Sequence, residues 1–392
     1  MASLSFLLIE FLDELVFGVN QAAWPLIRSD LQLSYLQIGL LLSVPGIVSA
    51  IIEPFLGILG DVWKRRLLIL GGGIFFALAC LLTGLSAGFV VLMLALMLFY
   101  PSSGAFVSLS QAALMDTDPS RHEQAMARWT FAGSLGVVLG PLLLSGMAFI
   151  GFGWRGVFIA LAGVTVLVLF FVWKRIPQPP DGMHSLPHFA DVWSGVRAAI
   201  SSLRRGEVLR WLVLLQFSDL MLDVLLGFLA LYFVDVARLS AGQAALGIAV
   251  WSGLGLLGDF LLIPLLEKVH GLAYLRVSVV LELLLFPAFL LAPGILVKFI
   301  LLGLLGFFNS GWYAILKGRL YSSMPGRSGT VMTLDNLFGL LGKLLPFGIG
   351  LVAQYFGLRL AMWLLLLGPI ALLLGLPTKI SPSASPSPSS SS

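Results

Sequence analysis

Charge is what this sequence has least of. Asp, Glu, Lys and Arg together make up 11% of its 392 residues, whereas a chain folded in water carries about a quarter. So sparse a charged surface excludes the soluble enzyme, the nucleic-acid binder and the disordered scaffold. The net charge of +4 does not bring a nucleic-acid partner back, because the basic residues fall in short loops that alternate along the chain. Cysteine is nearly absent too: Cys80 stands alone, so there is no internal disulfide framework. The four histidines, His122, His184, His188 and His270, lie in polar stretches and, with one thiol, supply no zinc, haem or iron–sulfur ligand set. No Walker sequence occurs, and Gly71-Gly72-Gly73 neither follows a strand nor opens a phosphate-binding helix. ATP is therefore not the direct energy source, and no metal or cofactor is expected.

What the chain has in abundance is apolar length, 59% of residues being hydrophobic. A helix needs about 20 apolar residues to cross roughly 30 Å of hydrocarbon, and lipid-facing backbone must satisfy its own hydrogen bonds, so such segments read as transmembrane helices. Twelve are counted, near 4–27, 35–60, 67–86, 88–114, 128–150, 154–173, 210–235, 242–266, 272–292, 295–317, 329–356 and 358–377. The first carries Glu10, Asp13 and Glu14 and has neither a basic start nor a small-residue cleavage site, so it reads as a span and not as a signal peptide. The expected class is an all-α polytopic membrane protein: a six-helix bundle over 1–173, a linker over 174–209, a second bundle over 210–378, and a disordered Ser/Pro tail over 379–392. The linker turns amphipathic around Trp193, Val196, Ile200 and Leu203, as an interfacial helix does. With the N-terminus inside, the inner loops hold seventeen Lys and Arg residues and the outer loops four, Arg28, Arg155, Arg238 and Arg359. That bias predicts both termini in the cytoplasm and a multi-pass protein of the plasma membrane, the inner membrane of a bacterium.

The chain also repeats itself. An offset of 206 positions lays Phe11 on Phe217, Leu33-Ser34 on Leu239-Ser240, Gln37 on Gln243 and Pro119 on Pro325. Leucine matches carry little weight in such a composition; acids carry more. Of nine testable acids in the first half, three land on an acid, Asp13 on Asp219, Glu53 on Asp259 and Asp61 on Glu267, more than chance placement of so few acids gives. Duplicated six-helix halves suit alternating access, in which two similar bundles rock about a site between them.

Between spans 2 and 3 stands Gly57-Ile58-Leu59-Gly60-Asp61-Val62-Trp63-Lys64-Arg65-Arg66. Glycine permits close helix approach, the acid can accept from helix N-terminal amides or a basic side chain, and the arginines hold the inner face. This loop resembles the signature of the major facilitator superfamily, which Gly57, Leu59, Asp61, Arg65 and Arg66 match; Val62 and Lys64 stand where Arg and Gly are usual. Leu265, Glu267 and Lys268 are its echo in the second half. Gly136-x-x-x-Gly140-Pro141 resembles the core of the superfamily's antiporter motif, and Gly153-Trp154-Arg155 with Phe158 resembles the usual start of span 6. Leu33 to Leu40 is similar in texture to bacterial drug-efflux and fosmidomycin-resistance-like members. Span 4 reads Met97-Leu98-Phe99-Tyr100-Pro101, without the arginine many proton-coupled exporters carry there.

A carboxylate near the bilayer centre costs several kcal/mol, at least ~2.5 on insertion scales. Asp13 and Asp219 nevertheless sit about mid-way along spans 1 and 7. Helical spacing gives span 1 a polar stripe through Glu10, Asp13 or Glu14, Asn20 or Gln21, and span 7 one through Gln216, Asp219 and Asp223. The resemblance implies a cavity lined by spans 1, 4, 7 and 10. Span 4 would add Tyr100, Ser103 and Gln111, and span 10 would add Asn309, Trp312 and Tyr313. These acids either titrate during transport or form static ion pairs, for which Lys343 in span 11 is a partner. Glu53 and Asp259, with Lys343, read as structural ion-pair residues bracing the inner gate or the seam between halves; Gly57, Asp61, Arg65, Arg66 and Glu267 read as the inner gate itself. Lys298 reads as a snorkelling lysine, Cys80 as packing, and Trp24, Trp129, Trp154, Trp211 and Trp363 as interfacial anchors.

The expected function is secondary active transport of a small organic solute, coupled to protons or another ion, with export favoured and nutrient import or lipid flipping as alternatives. The partners expected are the solute, the coupling ion and the bilayer; no nucleic acid is expected, and the protein reads as a monomer. An intramembrane enzyme would need a serine–histidine, histidine–metal or paired-aspartate centre; the histidines lie outside the spans, and no protease pattern surrounds Asp219 and Asp223.

Overall fold

A computed structural model describes residues 2–62, 65–117, 122–149, 151, 153–175, 204–266, 268–324, 334 and 338–377. Within them the side chains of 2–3, 54, 57–62, 115–117 and 122–127 are not described. Everything regular among the described residues is helical. In chain order the helices are α1 (Ala2–Leu31), α2 (Tyr35–Val62), α3 (Arg65–Leu85) and α4 (Phe89–Leu114). Then follow α5 (His122–Phe149), α6 (Trp154–Val172), α7 (Gly206–Val236) and α8 (Ala241–Leu266). The chain closes with α9 (Gly271–Leu291), α10 (Ile295–Ser322), α11 (Phe338–Phe356) and α12 (Leu358–Gly375).

Eleven of these are long and apolar enough to cross a membrane. The exception is α1, which at 30 residues has the length but carries Glu10, Asp13 and Glu14. Large apolar side chains point outward where water would reject them, Phe170 at 86% exposure, Leu374 at 80% and Phe260 at 70%. Such a surface is at home in lipid.

The duplication is visible in local geometry. The bounds of α3 and α9 differ by 206 at both ends. Among the described residues, positive φ outside glycine occurs at Gln32 (52°) and Arg238 (61°), again 206 apart. Each is followed by the same N-terminal box. Ser34 N–H donates to Gln37 Oε1 at 2.9 Å while Gln37 N–H donates to Ser34 Oγ at 3.2 Å. Ser240 and Gln243 repeat this at 3.0 and 3.2 Å. Two amides that open a helix without intrahelical partners are thus satisfied reciprocally at the start of both α2 and α8.

The glycine motif of α5 is explained by α1. A Cβ on Gly136 would fall 2.5 Å from Phe11 O, and one on Gly140 2.6 Å from Leu15 O. From the other side, a Cβ on Gly18 would meet Val137 O at 2.8 Å and Pro141 Cδ at 2.9 Å. Small residues here let two backbones touch. The Gly153-Trp154-Arg155 motif ties three helix ends together. Trp154 Nε1 and Arg155 Nε donate to Asp30 Oδ2 at 3.1 and 2.9 Å, and Arg155 Nη1 reaches Gly84 O at 3.3 Å and also Ser86 O.

Four tryptophans expected as interfacial anchors are instead core residues. Trp24 is fully buried, and Trp129, Trp154 and Trp211 are 3–4% exposed. Nearness to a helix end does not tell lipid from a neighbouring helix, and here the neighbour is protein. Lys298 does not snorkel either. Its ammonium is buried against the rings of Tyr232 and Phe289, and it donates to Tyr232 Oη at 2.9 Å, Phe289 O at 2.7 Å and Leu290 O at 3.3 Å. Three donors meet three acceptors, which makes the buried charge tolerable.

Candidate functional site

Helices α4 and α7 leave α-helical register where the polar residues gather. In α4, Pro101 removes a backbone donor, and Gly104–Ser108 continues as a π segment. In α7, Leu220–Val224 is a π segment that begins after Asp219 and contains Asp223. A π turn misaligns carbonyls, and such turns concentrate at functional sites. One carbonyl here is claimed from outside: Asn309 Nδ2 of α10 donates to Met221 O at 2.5 Å.

Around these irregular turns the structure gathers most of the acids expected from the sequence. Ser103 of α4 stands beside Asp13 of α1, whose Oδ1 is buried without a partner. Glu14 lies in the fields of both Asp13 and Asp223, so α1 and α7 face each other with their acids. Tyr100 of α4 feels the same two aspartates. Asp219 neighbours Asp223 on one side and Lys343 of α11 on the other. Glu10 is buried on the face of α1 turned to α5, where a Cβ on Gly133 would meet its Oε1 at 2.6 Å. Asp223, mid-way along α7, is exposed.

Other expected residues are placed differently. Asn20 and Gln21 are buried, at 3% and 5% exposure, with Asn20 Oδ1 and Gln21 Oε1 unpartnered. Gln111 is half-buried on α4. Trp312 borders the cleft that α5 and α8 flank, but its side chain is fully buried and its indole N–H donates to Ser278 Oγ of α9 at 2.8 Å. Tyr313, the next residue, is 55% exposed and lies under the Lys317 ammonium.

The ion pairs expected of Glu53, Asp259 and Lys343 are not formed among the described residues, where the salt bridges are Arg28–Asp235 and Arg155–Asp30. Glu53 accepts from Ser49 Oγ at 2.5 Å and packs on Gly104, at the start of the α4 π segment. Asp259 Oδ1 accepts from Gly311 N–H at 3.0 Å. Gly311 is left-handed at φ 73° and opens the second part of α10, so the carboxylate satisfies an amide that has no helical partner. Lys343 is exposed, with its alkyl stem on Gly46 of α2.

Of the expected inner gate, Arg66 Nη2 donates to Trp173 O at the end of α6 at 2.5 Å, a bond within the first half. The surroundings of Gly57, the side chain of Asp61, and Glu267 as a whole lie outside the described residues.

Sequence reasoning missed the contacts that join the halves at the far ends of α1 and α7. Arg28 Nη1 and Tyr35 Oη both donate to Asp235 Oδ2, at 2.7 and 2.8 Å. Tyr35 N–H donates to Gln354 Oε1 at 3.1 Å, Phe347 N–H to Ser43 Oγ at 3.0 Å, and Ser145 Oγ to Gly242 O at 3.1 Å. Gly39 of α2 and Gly350 of α11 touch backbone to backbone. At the opposite end, α5 and α8 flank a cleft of about 530 Å³.

The sequence profile described as Major Facilitator Superfamily matches residues 6–345. The chain belongs to the major facilitator superfamily. Membership places it among secondary transporters. Within the superfamily it is 30% identical over 223 residues to "Multidrug resistance protein MdtG" of Salmonella choleraesuis (strain SC-B67), covering 55% of this chain and 51% of that one. It is 27% identical over 141 residues to "Fosmidomycin resistance protein" of Escherichia coli (strain K12), covering 36% of this chain and 34% of that one. The match thus spans about half the length of the first relative and a third of the second. Among solved superfamily structures, a bacterial homologue of the human lysosomal transporter Spinster, inward-facing and occupied, aligns over 95% of both chains at TM-score 0.77 and 18% identity. The nucleoside transporter NupG aligns at TM-score 0.76 and 12% identity over 96% of this chain and 98% of that one. At such identities these two share the fold.

Proposed function

We propose that this superfamily member exports a small organic solute in exchange for protons, by rocking its two six-helix halves about the carboxyl cluster between α1, α4, α7 and α11. The observation that carries the reading is the convergence of Asp13, Glu14, Asp219 and Asp223 on one region that the charge of Lys343 reaches. A surplus of acid over base in a low-dielectric site exchanges protons when its water or its neighbours change. The hydrogen bonds joining the halves at one end, with a cleft at the other, support a conformation open on the side of that cleft. The excess of Lys and Arg in the loops on that side supports its being the cytoplasm of a bacterial inner membrane, with both termini there. The drug-resistance names of the two relatives support export and a lipophilic or polar organic cargo.

The test is flux of fosmidomycin and of ethidium, as probe solutes, in proteoliposomes under an imposed pH gradient. Asp13→Asn, Asp219→Asn and Asp223→Asn are assayed singly, with proton uptake by the purified protein recorded alongside. The expected outcome is at least a tenfold loss of gradient-driven flux and a reduced proton count in one or more variants. Wild-type flux and proton uptake in all three would remove the coupling assignment.

A further inference from the structure

Two grooves on the outside of the bundle lie at equivalent places in the duplication. The first, of about 480 Å³, runs between Leu4, Leu7, Leu8 and Phe11 of α1 and Phe131 and Leu135 of α5. The second, of about 420 Å³, runs between Arg210, Val213, Leu214 and Phe217 of α7 and Ala371 and Leu374 of α12. The four positions of α7 are those of α1 moved on by 206, so one face of the repeat makes a groove in both halves although a different helix closes it. Leu4 at 63% exposure and Phe131 at 59% leave the first groove open toward lipid, as Leu374 does the second. Each groove is lined by a single charged side chain, an exposed arginine: Arg128 in the first and Arg210 in the second. Neither guanidinium has a hydrogen-bond or ion-pair partner among the described residues. The two also stand at one level. Helix α5 runs parallel to α1, since Gly133 meets Glu10, Gly136 meets Phe11 and Gly140 meets Leu15, and the same register carried back sets Arg128 within a residue of Leu4, the counterpart of Arg210. This is the end of the molecule opposite the Arg28–Asp235 contact, where the apolar spans of α5 and α7 begin at Arg128 and Gly206 and hydrocarbon gives way to headgroups.

We infer that each groove holds one anionic phospholipid, its phosphodiester on the arginine and an acyl chain along the apolar floor. Guanidinium matches phosphate in a two-pronged, charge-assisted geometry, and an arginine at the headgroup level with no carboxylate partner has that bond to give. Around Arg210 stand Arg204, Arg205 and Glu207, all exposed, so three positive charges face one negative and the local field favours an anion. A zwitterionic lipid brings its own ammonium beside the guanidinium and fits less well. A free phosphate would leave the apolar length of the groove empty. Both volumes fall in the usual range for sites that hold one small molecule. The grooves are separate from the carboxyl cluster, and lipid binding there does not depend on proton coupling or on the direction of transport.

Bound lipid is counted by native mass spectrometry of the full-length chain, delipidated in a maltoside detergent and titrated with phosphatidylglycerol or phosphatidylcholine. Two phosphatidylglycerols are expected to bind, at least tenfold more tightly than phosphatidylcholine. Arg128→Gln and Arg210→Gln should each lose one, and the double variant both. Lys268→Gln removes an exposed charge that lines neither groove and should keep both. Ala132→Trp and Ala371→Trp fill the two grooves and leave the arginines in place; each should also lose one lipid, which separates a groove that holds a chain from a bare charge. Glycerol phosphate, the head without the chain, should displace neither lipid. A melting curve accompanies each variant, and where an arginine variant does not fold, the tryptophan variant of the same groove decides. Equal binding of the two lipids, displacement by glycerol phosphate, or both lipids retained in the double variant would overturn the assignment.

Discussion

Tyr35 and Asp235 lie in opposite halves of the molecule, and the phenol of the first donates to Oδ2 of the second at 2.8 Å. Arg28 completes the arrangement. It donates to the same oxygen at 2.7 Å and lays its guanidinium 4.2 Å from the centre of the tyrosine ring. One carboxylate therefore carries two charge-assisted bonds across the seam, and the two donors support each other. This is the clasp that holds the halves together at the ends of α1 and α7.

Removing the charge should loosen that clasp. Asp235→Asn is expected to cost the closed arrangement about 1–2 kcal/mol, a five- to thirtyfold shift in the conformational ratio. Leu42→Cys reports on it, because Leu42 packs on Gly227 across the seam and the native Cys80 is buried. Faster labelling by a membrane-impermeant maleimide is the expected result; unchanged labelling in Asp235→Asn would deny the clasp its role.

Close contact between α1 and α5 depends on the absence of side chains. Gly136→Val and Gly140→Val place carbon 2.5–2.6 Å from backbone carbonyls of α1, and backbone cannot yield as a side-chain tip can. Each should lower the melting temperature in detergent by several degrees, since overpacking costs about 1–3 kcal/mol or more. Gly146, where an added Cβ would meet nothing within 4 Å, is the control on the same helix, and Gly146→Ala should leave melting unchanged. Equal effects at all three positions would refute the packing argument.

Lys298 offers a test of a buried cation without a carboxylate. Lys298→Met keeps the stem and takes a donor from Tyr232 Oη and from Phe289 O, while Leu290 O keeps the bond from the Tyr232 hydroxyl. A loss of about 1–3 kcal/mol is expected, read as a drop in thermal stability. A stabilised or unaffected variant would show that the ammonium costs as much as its three acceptors return.

The two N-terminal boxes should behave as equals. Ser34→Ala and Ser240→Ala each remove one side-chain acceptor from a helix-opening amide, a change worth about 1 kcal/mol. The sites lie in different halves with no shared partner, so the effects should add in the double variant. Reversible unfolding monitored by circular dichroism measures both; a strongly non-additive double variant would mean that the halves do not carry their boxes independently.

How far the sequence could lead is clearest at particular residues. Span positions were legible because crossing a bilayer demands length, and that demand shows in hydropathy whatever the neighbours. The repeat was legible because Ser34-x-x-Gln37 and Ser240-x-x-Gln243 each have a local job, closing a turn, that survives drift around them. Orientation was not. A helix apolar on every side offers no moment to say which face meets lipid, so Trp24 and Trp211 could not be told from anchors. The Trp312 ring is likewise oriented by a residue no local pattern points to, the hydroxyl of Ser278, 34 positions away on α9. The π segments of α4 and α7 were equally hidden, since a widened turn is stabilised by partners such as Asn309 that belong to another helix. Acid clustering around Asp13 and Asp219 was legible only in depth along the spans, and the intended partner, Lys343, makes no ion pair with them within 4.0 Å among the described residues.

Glu53 and Asp259 occupy equivalent places in the duplication, and each meets a glycine on the neighbouring cavity helix, yet their jobs have diverged. Glu53 rests on Gly104 inside a helix that merely widens, whereas Asp259 holds the amide of Gly311 where the helix stops and restarts. Bending therefore has a joint in one half and only a soft stretch in the other. Spin-label distances across Gly311 should vary between conformations more than those across Gly104, so that the cycle is lopsided, with the later repeat swinging and the earlier one flexing.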